Sequence, residues 1–292
     1  MGSDYLAAMF IAVDTKNPRA VEEHVSSIYS SLFPDAESGF VRRAFAWAGQ
    51  FFSGRYGDYQ AIDTSYHDFE HTLQGTLCLV RLLRGRHEAK AAPAIPRKAF
   101  ELGLIAILFH DTGYLKKKDD TKGTGAKYTQ IHVSRSAEFA REFLSRQDWP
   151  DADVASIQNM IRCTGVNVDL NRIPFQSAEE KLVGFALGTA DLLGQMAADD
   201  YVDKLPELYG EFAEAAEFSG PNAARAPFTS AADLMSKTPG FWEGYVVTKL
   251  NNDFDRIYTF LNQPYPGGPN DYVQRIERNI ERLRRKLEQS PK

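Results

Sequence analysis

Two stretches of this chain carry apolar side chains on nearly every side, and a helix of that kind can only be an inner member of a bundle. One is residues 97 to 111, through Leu102, Leu104, Ile105, Ile107, Leu108 and Phe109; the other is residues 178 to 198. Amphipathic patterns surround them. Val21, Val25, Ile28, Tyr29 and Leu32 mark one helix over 18 to 33, and Val41, Phe45, Ala48 and Phe52 another over 40 to 52. Phe69, Leu73, Leu77, Val80 and Leu83 form a stripe over 68 to 86. Further helices are expected over 153 to 163, 205 to 209, 241 to 261 and 270 to 289, and after a cap at Thr129 that puts His132 in a first turn. No alternating pattern long enough for a strand occurs, so the expected fold class is all-α.

The stretch 178 to 198 has one interior carboxylate, Asp191, in Leu187-Gly188-Thr189-Ala190-Asp191-Leu192-Leu193. A buried carboxylate is costly unless it is paired, hydrogen-bonded or on a metal. The other inner stretch ends on Phe109-His110-Asp111-Thr112-Gly113. Consecutive helical residues diverge by about 100°, so His110 and Asp111 serve one ion only over a helix end, and Gly113 puts an end there. A third stretch, Tyr66-His67-Asp68-Phe69-Glu70-His71-Thr72, has two histidines four apart, which in a helical context share one face. That spacing alone is commonly no more than a helix surface. Joined to His110-Asp111 and to Asp191 it specifies a metal site. Imidazole nitrogen with carboxylate oxygen suits Zn, Mn, Fe or Mg, as one ion or two.

At these residues the chain resembles the HD-domain superfamily of metal-dependent phosphohydrolases, over about residues 60 to 200. Tyr66-His67-x-x-x-His71 is similar to a signature of the cyclic-nucleotide phosphodiesterase catalytic domain. The resemblance implies a multi-helix bundle with the metal site at its centre. It implies His71, His110, Asp111 and Asp191 as ligands, His67 as general acid, and Asp111 as a bridge to a second ion. His132 either supplies that second ion with a ligand, as in some HD-domain enzymes, or is simply a helix-start residue. Gln195, one turn beyond Asp191, is placed to orient a water or a substrate group; Asp169 and Asp233 are the alternatives to Asp191.

The reaction so implied is hydrolysis of a phosphoester by a metal-activated hydroxide, with His67 protonating the leaving alkoxide. The expected substrate is a small phosphorylated molecule, a nucleotide or cyclic nucleotide. The base-clamping Gln and aromatic residue of cyclic-nucleotide enzymes have only a loose counterpart in Gln263 after Phe260. The alternative is a catalytically weak, metal-holding sensor or scaffold whose aromatic C-terminal half is a partner surface. Retention of His67 argues against it, because a purely structural metal site needs no proton donor.

Composition sets outer limits. Across 292 residues, 34 basic and 39 acidic side chains give a net charge of −5 with no dense basic run, a poor match to long nucleic acid. The basic cluster 116 to 118 reads as a solvated loop or as a mobile lip that draws phosphate inward. Cys78 and Cys163 make neither a disulfide framework nor a CxxC site, so both are expected to be buried, reduced thiols of a cytoplasmic protein. No signal peptide or bilayer-length apolar run is apparent. His24 and His87 read as surface residues, the latter in a polar helix end, Gly85-Arg86-His87-Glu88. The organisation expected is N-terminal helices over 1 to 60, an HD-type core over 61 to 215 and a helical extension over 216 to 292. The loop 219 to 227 would be the boundary, and the oligomeric state is left open.

Overall fold

Side-chain caps at Asn17, Asp68 and Ser177 fix where three of the helices begin. Asn17 accepts from the N–H groups of Arg19 and Ala20, Asp68 from that of His71, and Ser177 from that of Glu180. Each occupies donors of a first turn that have no intrahelical partner. The computed structural model describes residues 12–37, 39–219 and 227–289. Among them it is all-α, with ten α-helices: α1 Pro18–Leu32, α2 Phe40–Phe52, α3 Phe69–Glu88, α4 Arg97–Phe109, α5 His132–Ser145, α6 Asp151–Arg162, α7 Ala178–Met196, α8 Tyr201–Phe218, α9 Ala231–Gly240 and α10 Asp271–Gln289. The extended pairings among the described residues are two isolated bridges, Tyr59 with Lys117 and Asn262 with Asn270. No helix of the described residues is long and apolar enough to cross a membrane.

α4 is buried at Leu104 through Phe109 without a break, as an inner helix must be. α3 and α7 pack against one another antiparallel, with Gln74 and Gly75 opposite Asp191 and Gly194, and Arg86 opposite Leu182. Their separation is set by glycine. A Cβ on Gly194 would lie 2.8 Å from the backbone of Gln74, and one on Gly75 would lie 3.8 Å from the Cα of Asp191. This close approach puts the first turn of α3 beside Asp191, the carboxylate in the middle of α7. One buried apolar cluster runs from Val21 in α1 to Leu283 in α10. The expected boundary loop falls largely on residues 220–226, outside the described residues.

Four local expectations are corrected. The region 241 to 261 is not one regular helix: beyond α9 it widens into π turns at Phe241–Val246 and Lys249–Asp253 and ends in a 3₁₀ turn at Ile257–Leu261. Pro239 lies inside α9, where its missing N–H removes a ladder bond just before the widening starts. Thr129 does not cap α5; its hydroxyl donates to the Ala126 carbonyl, and α5 begins without a side-chain cap. The lysine cluster is solvated at Lys117 and Lys118, which are exposed, but it is tied down rather than a loose lip. Lys116 is buried, with Nζ 2.9 Å from Asp63 Oδ2, Lys117 lies 3.8 Å over the Tyr59 ring, and Lys118 donates to the Gly57 carbonyl. Arg86, finally, is buried rather than part of an exposed helix end.

Candidate metal centre

The first turn of α3 and the chain just before it bring two histidines to the centre. His71 lies in the first turn and is buried. His67 is not on the helix with it, as the spacing suggested. The chain is extended at the cap residue Asp68 (φ −90°, ψ −175°), so the helix starts only after it. Asp68 spends one oxygen on the His71 N–H at 2.9 Å and the other on Lys204 Nζ at 2.8 Å. His67 instead folds back until its ring centroid is 5.3 Å from that of His71.

Glu211 of α8 holds it there. Its Oε1 accepts the backbone N–H of Tyr66 at 2.6 Å and of His67 at 3.2 Å, and its Oε2 meets His67 Nδ1 at 2.5 Å. Burial alone would raise the Glu211 carboxyl, but the His67 side chain and these hydrogen bonds hold it below the usual range. Sequence reasoning missed Glu211. The signal was of the same kind that marked Asp191: a carboxylate on an otherwise apolar helix face, here with Leu205 and Ala215.

His110 is the C-cap of α4, and the chain then turns through a 3₁₀ segment at Thr112–Tyr114. Gly113 is required there, since a Cβ would lie 2.0 Å from the carbonyl oxygen of His132. The Gly113 N–H donates to Ser136 Oγ at 2.8 Å, and Arg135 Nε donates to the Gly113 carbonyl at 2.7 Å. The N-terminus of α5 is thereby clamped onto the His-Asp turn, and His132 comes with it. Its Nε2 lies 3.8 Å from Asp111 Oδ1.

Four ligand-type side chains converge. His71 Nε2 is 3.3 Å from Asp111 Oδ2 and 3.2 Å from Asp191 Oδ1; His110 Nε2 is 3.3 Å and 3.4 Å from the same two atoms. One ligand atom each from His71, His110 and Asp191 fall within 4.8 Å of one another. Donors bonded to one ion at about 2.1 Å stand about 3.0–3.4 Å apart along an octahedral or tetrahedral edge, so these spacings fit a single ion. Two further observations agree. His110 Nδ1 meets the Ile107 carbonyl at 2.7 Å and His132 Nδ1 the Thr129 carbonyl at 2.6 Å, an arrangement that leaves each Nε2 as the unprotonated nitrogen. His110 Nε2 and Asp111 Oδ2 are buried and have no hydrogen-bond partner, a costly pair of orphans unless a cation lies between them.

The charges are strongly coupled. Burial would lower the His71 imidazole, yet Asp111 and Asp191 beside it push it up to about 10. His110 is raised against the same burial by the same two carboxylates. Burial works to raise both carboxyls, and the flanking imidazoles hold Asp191 low and Asp111 well below the ordinary range. His132 is pushed down by burial.

The cluster reaches solvent past His67 and His132, whose side chains are 14% and 20% exposed, whereas those of His110 and Asp111 are 1% exposed. Tyr114, also missed in the sequence, stacks on both rings with centroids 4.9 and 4.8 Å away, and the two histidine rings are themselves 5.9 Å apart. Gln195 is a brace: its Nε2 donates to the Asp191 carbonyl at 3.0 Å and its Oε1 accepts from Tyr66 Oη at 2.8 Å. The alternatives to Asp191 are occupied elsewhere, Asp169 capping a 3₁₀ turn and Asp233, in the first turn of α9, accepting from Thr229 and Lys237. Phe260 packs on Gly85, about 20 Å along α3 from His71 at about 1.5 Å per residue, so it does not line this centre.

Fold and site together define an all-α protein with a buried His–Asp cluster suited to a divalent ion. The chain belongs to the Npun_R2479-like family, whose profile matches residues 20–264. No curated protein matches it.

Proposed function

We propose that this chain is a metal-dependent phosphohydrolase of HD-domain type, acting on a small phosphoester such as a nucleotide or cyclic nucleotide. The observation that carries the reading is the pairing of two different histidine environments. His71 and His110 turn Nε2 into a carboxylate-lined cluster, while His67 stands beside it with Nδ1 engaged by Glu211. A divalent ion in that cluster would acidify a water and neutralise charge on a phosphoryl oxygen. His71, His110, Asp111 and Asp191 would hold it, and His132 is placed for a second ion next to Asp111. His67 has the role of general acid: with Nδ1 fixed by Glu211, Nε2 is the atom that carries the transferable proton to the leaving oxygen. Tyr114 stacks on both the His67 and the His132 ring and covers one face of each.

The test begins with metal analysis of the purified protein and hydrolysis of an aryl phosphodiester and an aryl phosphomonoester. His67→Ala should retain metal and slow turnover by the roughly 10²–10⁴-fold typical of losing a general acid. The loss should shrink for nitrophenolate, a leaving group that needs no proton, and be largest for alkyl or ribose leaving groups. Equal losses for both would refute proton donation by His67. Bound metal with no turnover on any phosphoester would favour the sensor or scaffold reading instead.

A further inference from the structure

At the last turn of α3, about 22 Å along the axis from His71 at about 1.5 Å per residue, Arg86 presents a buried cation without an anion. It is 2% exposed and makes no hydrogen bond or ion pair among the described residues. The guanidinium faces an aromatic ring: its carbon lies 5.7 Å from the centroid of Phe260. Gly85 allows that approach, since a Cβ there would lie 2.0 Å from the Phe260 carbonyl oxygen. Burial lowers the Arg86 pKa and no carboxylate counteracts it. The α3 C-terminus offsets part of the charge through the helix dipole. It leaves the five N–H donors of the guanidinium without an acceptor.

Arg86 lines a cavity of about 320 Å³, within the range of small-molecule sites. The walls are Leu182, Phe185, Phe254, Ile257 and Phe260. Lys181 stands at the rim, exposed, with Nζ 5.0 Å from the Phe185 ring centroid. The one acidic residue of the lining, Asp255, is exposed and beyond ion-pair distance of Arg86. A lone fork of N–H donors at the edge of an aromatic chamber matches a planar carboxylate on an apolar body. A phosphate would leave oxygens against the phenyl rings without donors.

We infer that this cavity is a binding site for a small apolar carboxylate, paired to Arg86 and with its hydrocarbon body against Phe185, Phe254 and Phe260. The probe is 4-phenylbutyrate, titrated by calorimetry into the full-length protein beside its uncharged amide and inorganic phosphate. Saturable one-to-one binding of the acid is expected, with the amide at least about tenfold weaker and phosphate inert. Arg86→Met should melt no lower than the parent, having lost an unpaired buried charge, and should bind the acid no better than the amide. That variant also separates this site from a carboxylate captured at the His–Asp cluster. Equal binding of acid and amide, undiminished binding to Arg86→Met, no saturation below about 10 mM, or phosphate that the acid displaces would each overturn the inference. Should Arg86→Met fail to fold, the acid and amide comparison on the unaltered protein decides.

Discussion

The two ends of the α3–α7 pair treat charge in opposite ways. At one end His71 and His110 face Asp111 and Asp191, with opposite charges in contact and three of their polar atoms, His71 Nδ1, His110 Nε2 and Asp111 Oδ2, still unsatisfied. At the other, Arg86 is buried at the wall of a cavity and faces the Phe260 ring. Both ends lie in the same apolar cluster, built on the same two helices. The difference teaches that burial alone does not declare a site's ligand. A converging set of nitrogen and oxygen donors calls for a cation, a lone set of N–H donors for an anion.

The largest test of the contrast is metal affinity. His110→Ala or Asp191→Ala should weaken it by more than the 10–100-fold typical of losing an outer partner of a ligand, read by titration with metal analysis, while Arg86→Met leaves it unaltered. Full occupancy in Asp191→Ala would show that another carboxylate closes the centre. Next in size, Glu211→Gln should keep metal yet lower turnover on alkyl phosphoesters by about 10²-fold, the low end of general-acid effects. If Glu211 only props up α8, nitrophenyl and alkyl esters will suffer alike.

Smaller effects probe the backbone contacts at each end. Gly113→Ala and Gly85→Ala both drive a Cβ to 2.0 Å from a carbonyl oxygen, of His132 and of Phe260 respectively. Each should cost about 1–3 kcal/mol in urea unfolding. Only Gly113→Ala should disturb metal binding, and metal loss in Gly85→Ala would mean that the two ends are not independent.

The smallest effect concerns protons. The His71 value of about 10 lies above the ordinary 6.5. In chelated protein its contribution to stability is therefore complete below about pH 6.5 and fades as pH rises through about 10. Urea midpoints at intervals across that window should fall in the chelated protein, and metal loading should release protons and flatten the trend. A flat trend in chelated protein would remove the coupled network from the account of this centre.

Much of this was legible in the sequence for definite reasons. α4 and α7 had to be inner helices because no face of either is polar enough for water, and Asp191 stood out because it lies in the middle of such a helix, away from the first turn that holds Glu179 and Glu180. Gly113 was readable as a helix end, yet its consequence was not. Asp68 was read as the first residue of a helix when it is the cap, and that moved His67 off the helix. Glu211 sits 144 positions from His67, and Arg86 was hidden inside a run that reads as a polar helix end.

Local periodicity and the cost of burying polar groups, both properties of neighbouring residues, thus determined the helices, the all-α class and which side chains were out of place in a core. Which of those side chains meet was decided only by tertiary structure. It depends on glycine contacts such as Gly194 against Gln74 and Gly113 against His132, where the absence of a side chain lets two distant segments touch. That close packing joins His71 to Asp191 at one end of the helix pair, and at the other it leaves Arg86 enclosed with no carboxylate within reach.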